Sequence, residues 1–202
     1  MLDSFRHFLR WRLGLAPAET QTSTAERAAI ARHARGKASC VEIGVWHGVN
    51  TRNIREVMAA TAVLTGVDPF PPGRLGFSFP MIIAKHECAR SRRGTFRLLR
   101  CTSAEAAARW TAPIDFLFVD GDHSYEALHA DWEGWSPHLL PGGIACLHDS
   151  RPTAARPIHA AGSVRFTDEV ILKDPRFEVL ESVETLLVLR RRGPAAGASG
   201  GG

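Results

Sequence analysis

Apolar runs alternate with helical segments along most of this chain, and five of the runs have the length of buried strands. They lie at residues 38–43, 62–67, 95–101, 114–119 and 143–147. Continuous apolar runs are typical of parallel strands that are covered on both faces. Two further strands, at 177–182 and 185–190, are separated by only a few residues, which permits a hairpin but no parallel crossover. The pattern therefore predicts a doubly wound α/β sheet of about seven strands, mostly parallel, with an antiparallel C-terminal hairpin strand.

Helices are predicted before the first of these strands and in the intervals between them. Their expected ranges are 23–36, 50–60, 81–90, 103–109, 123–135 and 163–172. A capping box at residues 23–26 opens the first of them. Asn50 or Thr51 is expected to cap the second helix, and Asp122 or Ser124 the fifth, because short polar side chains accept from the free N–H groups of a first turn.

The length of 202 residues suits one domain with its own core. We expect a helical segment at residues 1–36, the main domain at 37–192 and a disordered Gly/Ala/Ser tail at 193–202. The net charge of +4 is mild, and no zinc-finger, helix-turn-helix or RNP-like pattern accompanies it. Nucleic acid is therefore not an expected partner.

The cysteines and the N-terminal segment, residues 1–16, bear on the location of the protein. Cys40, Cys88, Cys101 and Cys146 form no CxxC pair, and we expect buried, reduced thiols in a cytoplasmic protein. No apolar run approaches the roughly 20 residues that span a bilayer. Residues 1–16 place apolar side chains near one helical face, with arginines beside them. This helix is expected to pack on its own domain or on a partner subunit; weak contact with a membrane surface is the alternative.

The turn after the first strand has the pattern E-x-G-x-x-x-G, and reads VEIGVWHG over residues 41–48. Gly44 lets the backbone turn tightly and lets a ligand approach it closely. The middle glycine of the dinucleotide fingerprint G-x-G-x-x-G is missing. The carboxylate of Glu42 would repel a pyrophosphate, whereas it could accept a hydrogen bond from an ammonium group. An ordinary strand-to-helix turn is the alternative interpretation.

Polar residues also follow the second and third strands. Asp68 lies a little over 20 residues beyond the glycines, where an acid can accept from both hydroxyls of a ribose. A loop or helix-cap aspartate is the alternative. Ser103 could bond an adenine edge, or it could serve only as the cap of its helix.

Acids and imidazoles follow the fourth and fifth strands. Asp120 and Asp149 close adjacent strands, and paired carboxylates are the ligands that Mg²⁺ prefers; otherwise Asp120 only orients cofactor or loop amides. His123 has the pKa range of a general base, and a solvent-facing helix residue is the alternative. His148 and Asp149 are consecutive, so only one is expected to face the site, and Asp149 is favoured.

The order and spacing of these motifs resemble a known superfamily. The segments VEIGVWHG, GVD, CTSAE and FVDGDHSYEALHADWEGWSPHLLPGGIACLHD are similar to those of class I S-adenosylmethionine-dependent methyltransferases, which have a Rossmann-like sheet. Within them the chain resembles the bacterial macrocin O-methyltransferase-like and cephalosporin-hydroxylase-like group, methyltransferase domain family 24, over about residues 38–190. The resemblance implies a set of cofactor-binding residues: Glu42, Gly44 and Gly48 for the methionine part, Asp68 for the ribose, and Ser103 beside the adenine.

The resemblance also implies roles on the acceptor side. Relatives with a bound metal place ligands at the positions of Asp120 and Asp149, and some place a base at the position of His123. Some carry Glu-Asp where this chain has His148-Asp149, and others carry Asp-Asn, which would correspond to Asp149-Ser150; the third ligand is therefore left open. Relatives commonly self-associate. Residues 69–80 are expected to form part of the acceptor pocket.

The implied function is methyl transfer from S-adenosylmethionine to a hydroxyl of a small molecule or sugar. Assistance by a divalent ion such as Mg²⁺ would lower the pKa of the acceptor hydroxyl, with His123 taking its proton. Two alternatives belong to other classes. One is an NAD-type oxidoreductase, against which the missing glycine and Glu42 count. The other is a non-catalytic cofactor-binding or scaffold protein.

Overall fold

Seven strands and seven α-helices make up the part of the chain that the computed structural model describes, residues 2–73 and 76–193. The strands are β1 Ser39–Ile43, β2 Val63–Val67, β3 Thr95–Leu99, β4 Ile114–Val119, β5 Leu139–Leu147, β6 Phe177–Val183 and β7 Leu186–Arg191. The helices are α1 Leu2–Arg12, α2 Thr24–Ala34, α3 Val49–Val57, α4 Phe79–Ala89, α5 Ser103–Ala107, α6 Tyr125–Trp135 and α7 Gly162–Glu169. The predicted tail lies outside the described residues from residue 194 onward.

All seven strands form one sheet in the order β3-β2-β1-β4-β5-β7-β6. Neighbours from β3 to β5 run parallel, while β7 lies antiparallel between β5 and β6. The predicted fold class, a mostly parallel doubly wound sheet with an antiparallel C-terminal strand, is confirmed. The order reverses between β1 and β4, and ligands of open α/β sheets bind beside such a switch point.

Both faces of the sheet are covered at its central strands, where alternate residues of each strand supply the two faces. In β4, Leu117 and Val119 pack in one cluster with Trp132 and Trp135 of α6. The residues between them face the opposite cluster, which contains Ile30 of α2 and helix α3 side chains. This two-sided burial explains why the strands read as continuous apolar runs.

The helix starts differ from two of the predictions. Gly48, with φ +75°, is the N-cap of α3. The side chains of both predicted caps have other partners: Asn50 accepts from the hydroxyl of Thr22, and the hydroxyl of Thr51 donates to Glu42. The expectation of a cap at Asn50 or Thr51 is therefore wrong.

Ser124 caps α6 by accepting from the N–H of Ala127, which confirms one of the two alternatives predicted for this cap. The carboxylate of Asp122 accepts from the N–H of Ser124 instead. Because α6 begins at Tyr125, His123 lies in the loop before the helix and not in its first turn.

The cysteines are free thiols, with Cys40, Cys88 and Cys146 buried and Cys101 half-buried. The third strand ends at Leu99, two residues before the predicted end. Among the described residues, no helix is long and apolar enough to span a bilayer.

The register of the central strands places their ends level with one another. Ile43 of β1 pairs with Val119 of β4, and Val119 pairs with Leu147 of β5. The next N–H groups continue these ladders, since Asp120 donates to the carbonyl of Ile43 and His148 to that of Val119. The residues that follow the three strands therefore meet at one edge of the sheet.

Candidate active site

Gly44 brings the turn after β1 into direct contact with the end of β4. Its φ is +84°, and a Cβ atom there would lie 2.1 Å from the carbonyl oxygen of Asp120. No side chain fits this position, because the contact is with backbone and the φ value lies in the left-handed region. The approach fixes the turn against the residues that follow β4.

Asp68 holds the same turn from the other side. Its Oδ2 accepts from the N–H groups of Val45 and Trp46 at 3.0 and 2.9 Å, and its Oδ1 accepts from Phe70 at 2.8 Å. Trp46 has φ +46°, which is uncommon for a bulky residue and calls for such support. The carboxylate predicted to bind ribose thus shapes the turn, and ribose binding stays a prediction.

Glu42 lies behind the turn, fully buried. The hydroxyl of Thr51 donates to its Oε2 at 2.5 Å, while its Oε1 is buried with no hydrogen-bond partner in the described part of the chain. Burial raises the pKa of Glu42 well above its usual range, and Asp120 and Asp68 nearby raise it further. A cationic group brought to the turn would favour the ionised form.

Gly48 and Ser103 have structural partners. A Cβ at Gly48 would lie 3.0 Å from the carbonyl oxygen of Ala84, so this glycine allows close packing of α3 on α4. The hydroxyl of Ser103 accepts from the indole N–H of Trp135 at 2.7 Å. Thr102, not Ser103, caps α5, so the alternative role of Ser103 as a cap is wrong, while its adenine contact stays a prediction.

An ionic cluster lies at the ends of β4 and β5. The Nδ1 of His148 is 2.8 Å from Oδ1 of Asp120 and 3.8 Å from Oδ2 of Asp149. The expectation that only one of the two consecutive residues faces the site is wrong. Because β5 ends at Leu147 and Asp149 has φ +50°, the chain turns and both side chains reach the cluster.

Glu26 of α2 contacts the same imidazole from the opposite side. Its Oε2 is 3.5 Å from Nε2 of His148 and accepts from the N–H of Ser23, while its Oε1 accepts from the N–H and hydroxyl of Thr185. Burial opposes both charges, but the carboxylates raise the pKa of His148 to about 10 and the donors lower the pKa of Glu26 to about 2. His148 is therefore a buried imidazolium between two carboxylates.

His123 and Arg156 contact the second carboxylate of the cluster. The Nε2 of His123 is 3.3 Å from Oδ2 of Asp149, and the imidazole is 37% exposed. The guanidinium of Arg156 donates to the same oxygen at 2.6 Å and to Oε1 of Gln21 at 3.3 Å. The other oxygen, Oδ1 of Asp149, is buried without a hydrogen-bond partner among the described residues.

A pocket opens between the glycine turn and the ionic cluster. Its wall is made by residues of three segments: Glu19, Thr20, Gln21, Gly44, Val45, Trp46, His47, Val49, Asn50, Asp120, Gly121 and His123. Of the predicted site residues, Gly44, Asp120 and His123 reach this wall. Asp149 lies directly behind His123, while Glu42, Gly48, Asp68 and Ser103 support the surrounding elements.

The segment before α2 covers one side of the pocket. The backbone N–H of Glu19 donates to Nδ1 of His47 at 3.1 Å, and the Glu19 carboxylate is 3.0 Å from Nδ1 of His7. Burial, with His7 nearby, lowers the pKa of His47 to about 4, so its imidazole is neutral and can accept. The described residues of the segment 69–80, predicted to form part of the acceptor pocket, do not line this pocket, and Phe79 contacts Phe8 of α1 instead.

Sequence reasoning did not identify Glu26 or Arg156 as site residues. Glu26 shows only its capping-box signature, which the structure confirms, and nothing local reveals that its carboxylate also contacts His148, beyond the end of β5. Arg156 lies in an irregular segment without periodicity or motif. Its contact with Asp149 depends on how that segment folds back over the strand end.

The cluster does not fit a resident Mg²⁺. Mg²⁺ prefers an octahedron of oxygen ligands, including waters. Here each predicted carboxylate ligand already contacts a cationic donor, Asp120 through His148 and Asp149 through Arg156. Asp120, His123 and His148 do offer ligand atoms within 4.8 Å of one another, but two of the three are imidazoles, a donor set that Mg²⁺ disfavours.

Comparison with known proteins identifies a family for more than half of the chain. Residues 41–150 match a family model described as a methyltransferase domain. A curated relative, the uncharacterized protein y4gI of Sinorhizobium fredii, is 42% identical over 55 residues, which are 27% of this chain and 6% of that protein. This chain therefore spans only a small fraction of the length of that relative.

Several solved structures are similar in fold. A protein of Corynebacterium glutamicum has a TM-score of 0.68 at 16% identity, over 98% of this chain and 93% of that chain. An O-methyltransferase of Bacillus cereus in complex with SAH has a TM-score of 0.60 at 16% identity, over 95% and 91%. The N-methyltransferase NodS of Bradyrhizobium japonicum, in complex with S-adenosyl-L-homocysteine, has a TM-score of 0.59 at 15% identity, over 94% and 97%. At these identities the likeness shows the fold alone.

Proposed function

This chain belongs to the methyltransferase-domain family, and we propose that it transfers a methyl group from S-adenosylmethionine to a hydroxyl of a small molecule or sugar. The observation that carries the proposal is the His123–Asp149 pair beside the pocket under the glycine turn. A hydroxyl acceptor is a poor nucleophile until a base takes its proton, and an imidazole held by a carboxylate is suited to that task. The similar structures above include both an O- and an N-methyltransferase, so the fold does not decide the acceptor atom.

The cofactor would lie against the turn at Gly44. When bound, S-adenosylmethionine supplies a methyl group on a sulfonium, which is displaced in line by the acceptor. The absence of a side chain at Gly44 lets the turn lie directly against the backbone of Asp120, which shapes this part of the pocket wall. The Oε1 of Glu42, which has no hydrogen-bond partner among the described residues, could accept from the ammonium group of the cofactor. Asp68 keeps the turn in shape by accepting from Val45 and Trp46.

His123 would act as the general base. If its Nε2–H donates to Asp149, its Nδ1 carries a lone pair that can accept the proton of the acceptor hydroxyl. The carboxylate then stabilises the imidazolium that forms, and it orients the ring before the reaction. Arg156 fixes Asp149 from the other side, at 2.6 Å.

Asp120 would have an electrostatic and positioning role. Its carboxylate lies on the pocket wall, and its partner His148 is a buried cation, so the pair presents little net charge to the acceptor. The predicted pairing of Asp120 and Asp149 around Mg²⁺ is not part of this mechanism, because His148 and Arg156 already supply the positive charge. Self-association and a cytoplasmic location stay predictions.

Two measurements test the proposal. Calorimetry with S-adenosylhomocysteine and, separately, with NAD separates methyl transfer from the oxidoreductase alternative; binding of NAD alone would contradict the proposal. Next, His123→Ala is compared with His129→Ala, an exposed histidine on α6 that contacts Phe166. We expect His123→Ala to lower kcat by about 10²-fold or more with little change in cofactor affinity, and His129→Ala to leave both unchanged. Equal activity of the two variants would remove His123 from the mechanism.

A further inference from the structure

The inward face of helix α1 is anchored on the domain by aromatic contacts. The ring of Phe8 packs on Phe79 with 4.8 Å between centroids, and Trp11 contacts the ring of His86 edge-on at 5.1 Å. The His7–Glu19 contact adds a polar attachment. These contacts fix which side of the helix faces away from the protein.

The outward face carries an apolar stripe. Leu9 and Leu13 are spaced by four residues, so they align along one side, and they are 42% and 71% exposed. Phe5 lies at the edge of this face, since it is 41% exposed and its ring also contacts that of Phe79 at 5.5 Å. The N–H of Leu13 donates to the carbonyl of Leu9, which keeps Leu13 in register with the helix. Leu15 extends the stripe and is 66% exposed. Three exposed leucines with Phe5 at their edge are more than the scattered exposure normal for a protein surface.

Arginines flank this stripe. Arg6, Arg10 and Arg12 are all exposed beside it, and residues 4–18 contain no Asp or Glu. A helix with an apolar stripe and a row of cations is suited to the interface of an anionic bilayer, where guanidinium groups meet lipid phosphates and leucines enter the acyl boundary.

We propose that the outward face of α1, with Leu13 and Leu15 beyond its end, binds the surface of anionic membranes. A second copy of the chain fits less well. A two-fold contact is self-complementary, so it would bring the arginines of both copies together. A single helix of 11 residues also offers much less than the roughly 800 Å² per partner that stable interfaces bury.

Vesicle flotation of the full chain tests this inference. Vesicles of phosphatidylcholine alone are compared with vesicles containing phosphatidylglycerol, at low and high salt. We expect binding to the anionic vesicles only, weakened by salt because surface charge attraction is screened. Equal binding to both vesicle types, or none to the anionic ones, would overturn the proposal.

Matched variants separate the two components of the surface. Leu9→Ser with Leu13→Ser should lower the partition coefficient by about tenfold or more, and each of Arg6→Gln and Arg10→Gln by about fivefold. Leu172→Ser, at a position 40% exposed elsewhere, and Arg92→Gln are the controls and should bind as the unmodified chain does. If the double serine variant instead converts a dimer to a monomer in light scattering, while vesicle binding is unchanged, the stripe is a subunit interface and the proposal fails.

Discussion

The buried imidazole of His148 makes the stability of this protein depend on pH, and one substitution should remove that dependence. Its nitrogens face Asp120 at 2.8 Å and Glu26 at 3.5 Å, and its side chain has no exposed surface. The contacts raise the pKa of His148 from 6.5 to about 10 in the folded protein. In the unfolded chain the ordinary value near 6.5 applies.

The sign and size of the effect follow from these two pKa values. Because the folded-state pKa is raised, the stabilisation is complete below about pH 6.5 and is lost as the pH rises toward 10. Within this window the folded protein holds one more proton, so the free energy of unfolding falls by about 1.4 kcal/mol per pH unit. Between pH 7 and pH 9 the loss is about 2–3 kcal/mol, a large part of a typical total of roughly 5–15 kcal/mol.

Urea unfolding at several pH values between 6 and 9 measures this slope. His148→Gln keeps a hydrogen-bond donor but cannot carry the charge, so we expect a less stable protein whose free energy of unfolding varies much less over the same range. Subtracting the two curves removes titrations common to both proteins. His129→Gln, at the exposed position on α6, is the control and should retain the slope. Parallel curves for the unmodified chain and His148→Gln would refute the buried imidazolium.

Further predictions concern the glycine turn, the absence of a Mg²⁺ site at the ionic cluster and the role of Arg156. Gly44→Ala should abolish S-adenosylhomocysteine binding in calorimetry, because the added methyl group would push the turn away from the backbone of Asp120. Gly36→Ala, also at positive φ but facing open space, should retain binding; normal binding by the first variant would show that the contact of Gly44 with Asp120 is not needed at the cofactor site. A chelator should leave turnover unchanged, and titration with Mg²⁺ should give no binding heat. A stoichiometric metal ion in the purified protein would contradict the conclusion that the ionic cluster does not fit Mg²⁺. Arg156→Gln should lower kcat by about tenfold, since one charge-assisted bond to Asp149 is lost, and an unchanged kcat would show that Arg156 is dispensable.

The sheet could be predicted from the sequence because its signals are local. The runs of β1, β2 and β4 are mostly apolar and are buried at all but one residue each. The short gap between β6 and β7 forces an antiparallel pair. Residues directly after parallel strands converge by topology alone, so Gly44, Asp120 and Asp149 could be assigned to one edge without coordinates.

The contacts within the site could not be predicted in the same way. The predicted pairing of Asp120 with Asp149 as free metal ligands assumes that neither has a counterion, but Glu26, His148 and Arg156 lie far apart in sequence and meet only in the fold. The turn at Asp149 also depends on a positive φ that an aspartate adopts only sometimes, and no pattern in the sequence indicates it. The sequence does not indicate the helix cap at Gly48, because Asn50 and Thr51 are typical capping residues and their tertiary partners appear only in the fold.

Glu26 links the segment that precedes β1 to the hairpin between β6 and β7, and this limits how the protein can be recombined with its relatives. Its two oxygens serve Ser23, Thr185 and His148 together. A chimera that takes residues 1–36 from one parent and the sheet from another would bury His148 without a matched carboxylate, unless both parents share the acid and the hairpin threonine. Fragment exchange is therefore expected to give folded chimeras only when residues 23–26 and 183–186 come from the same parent.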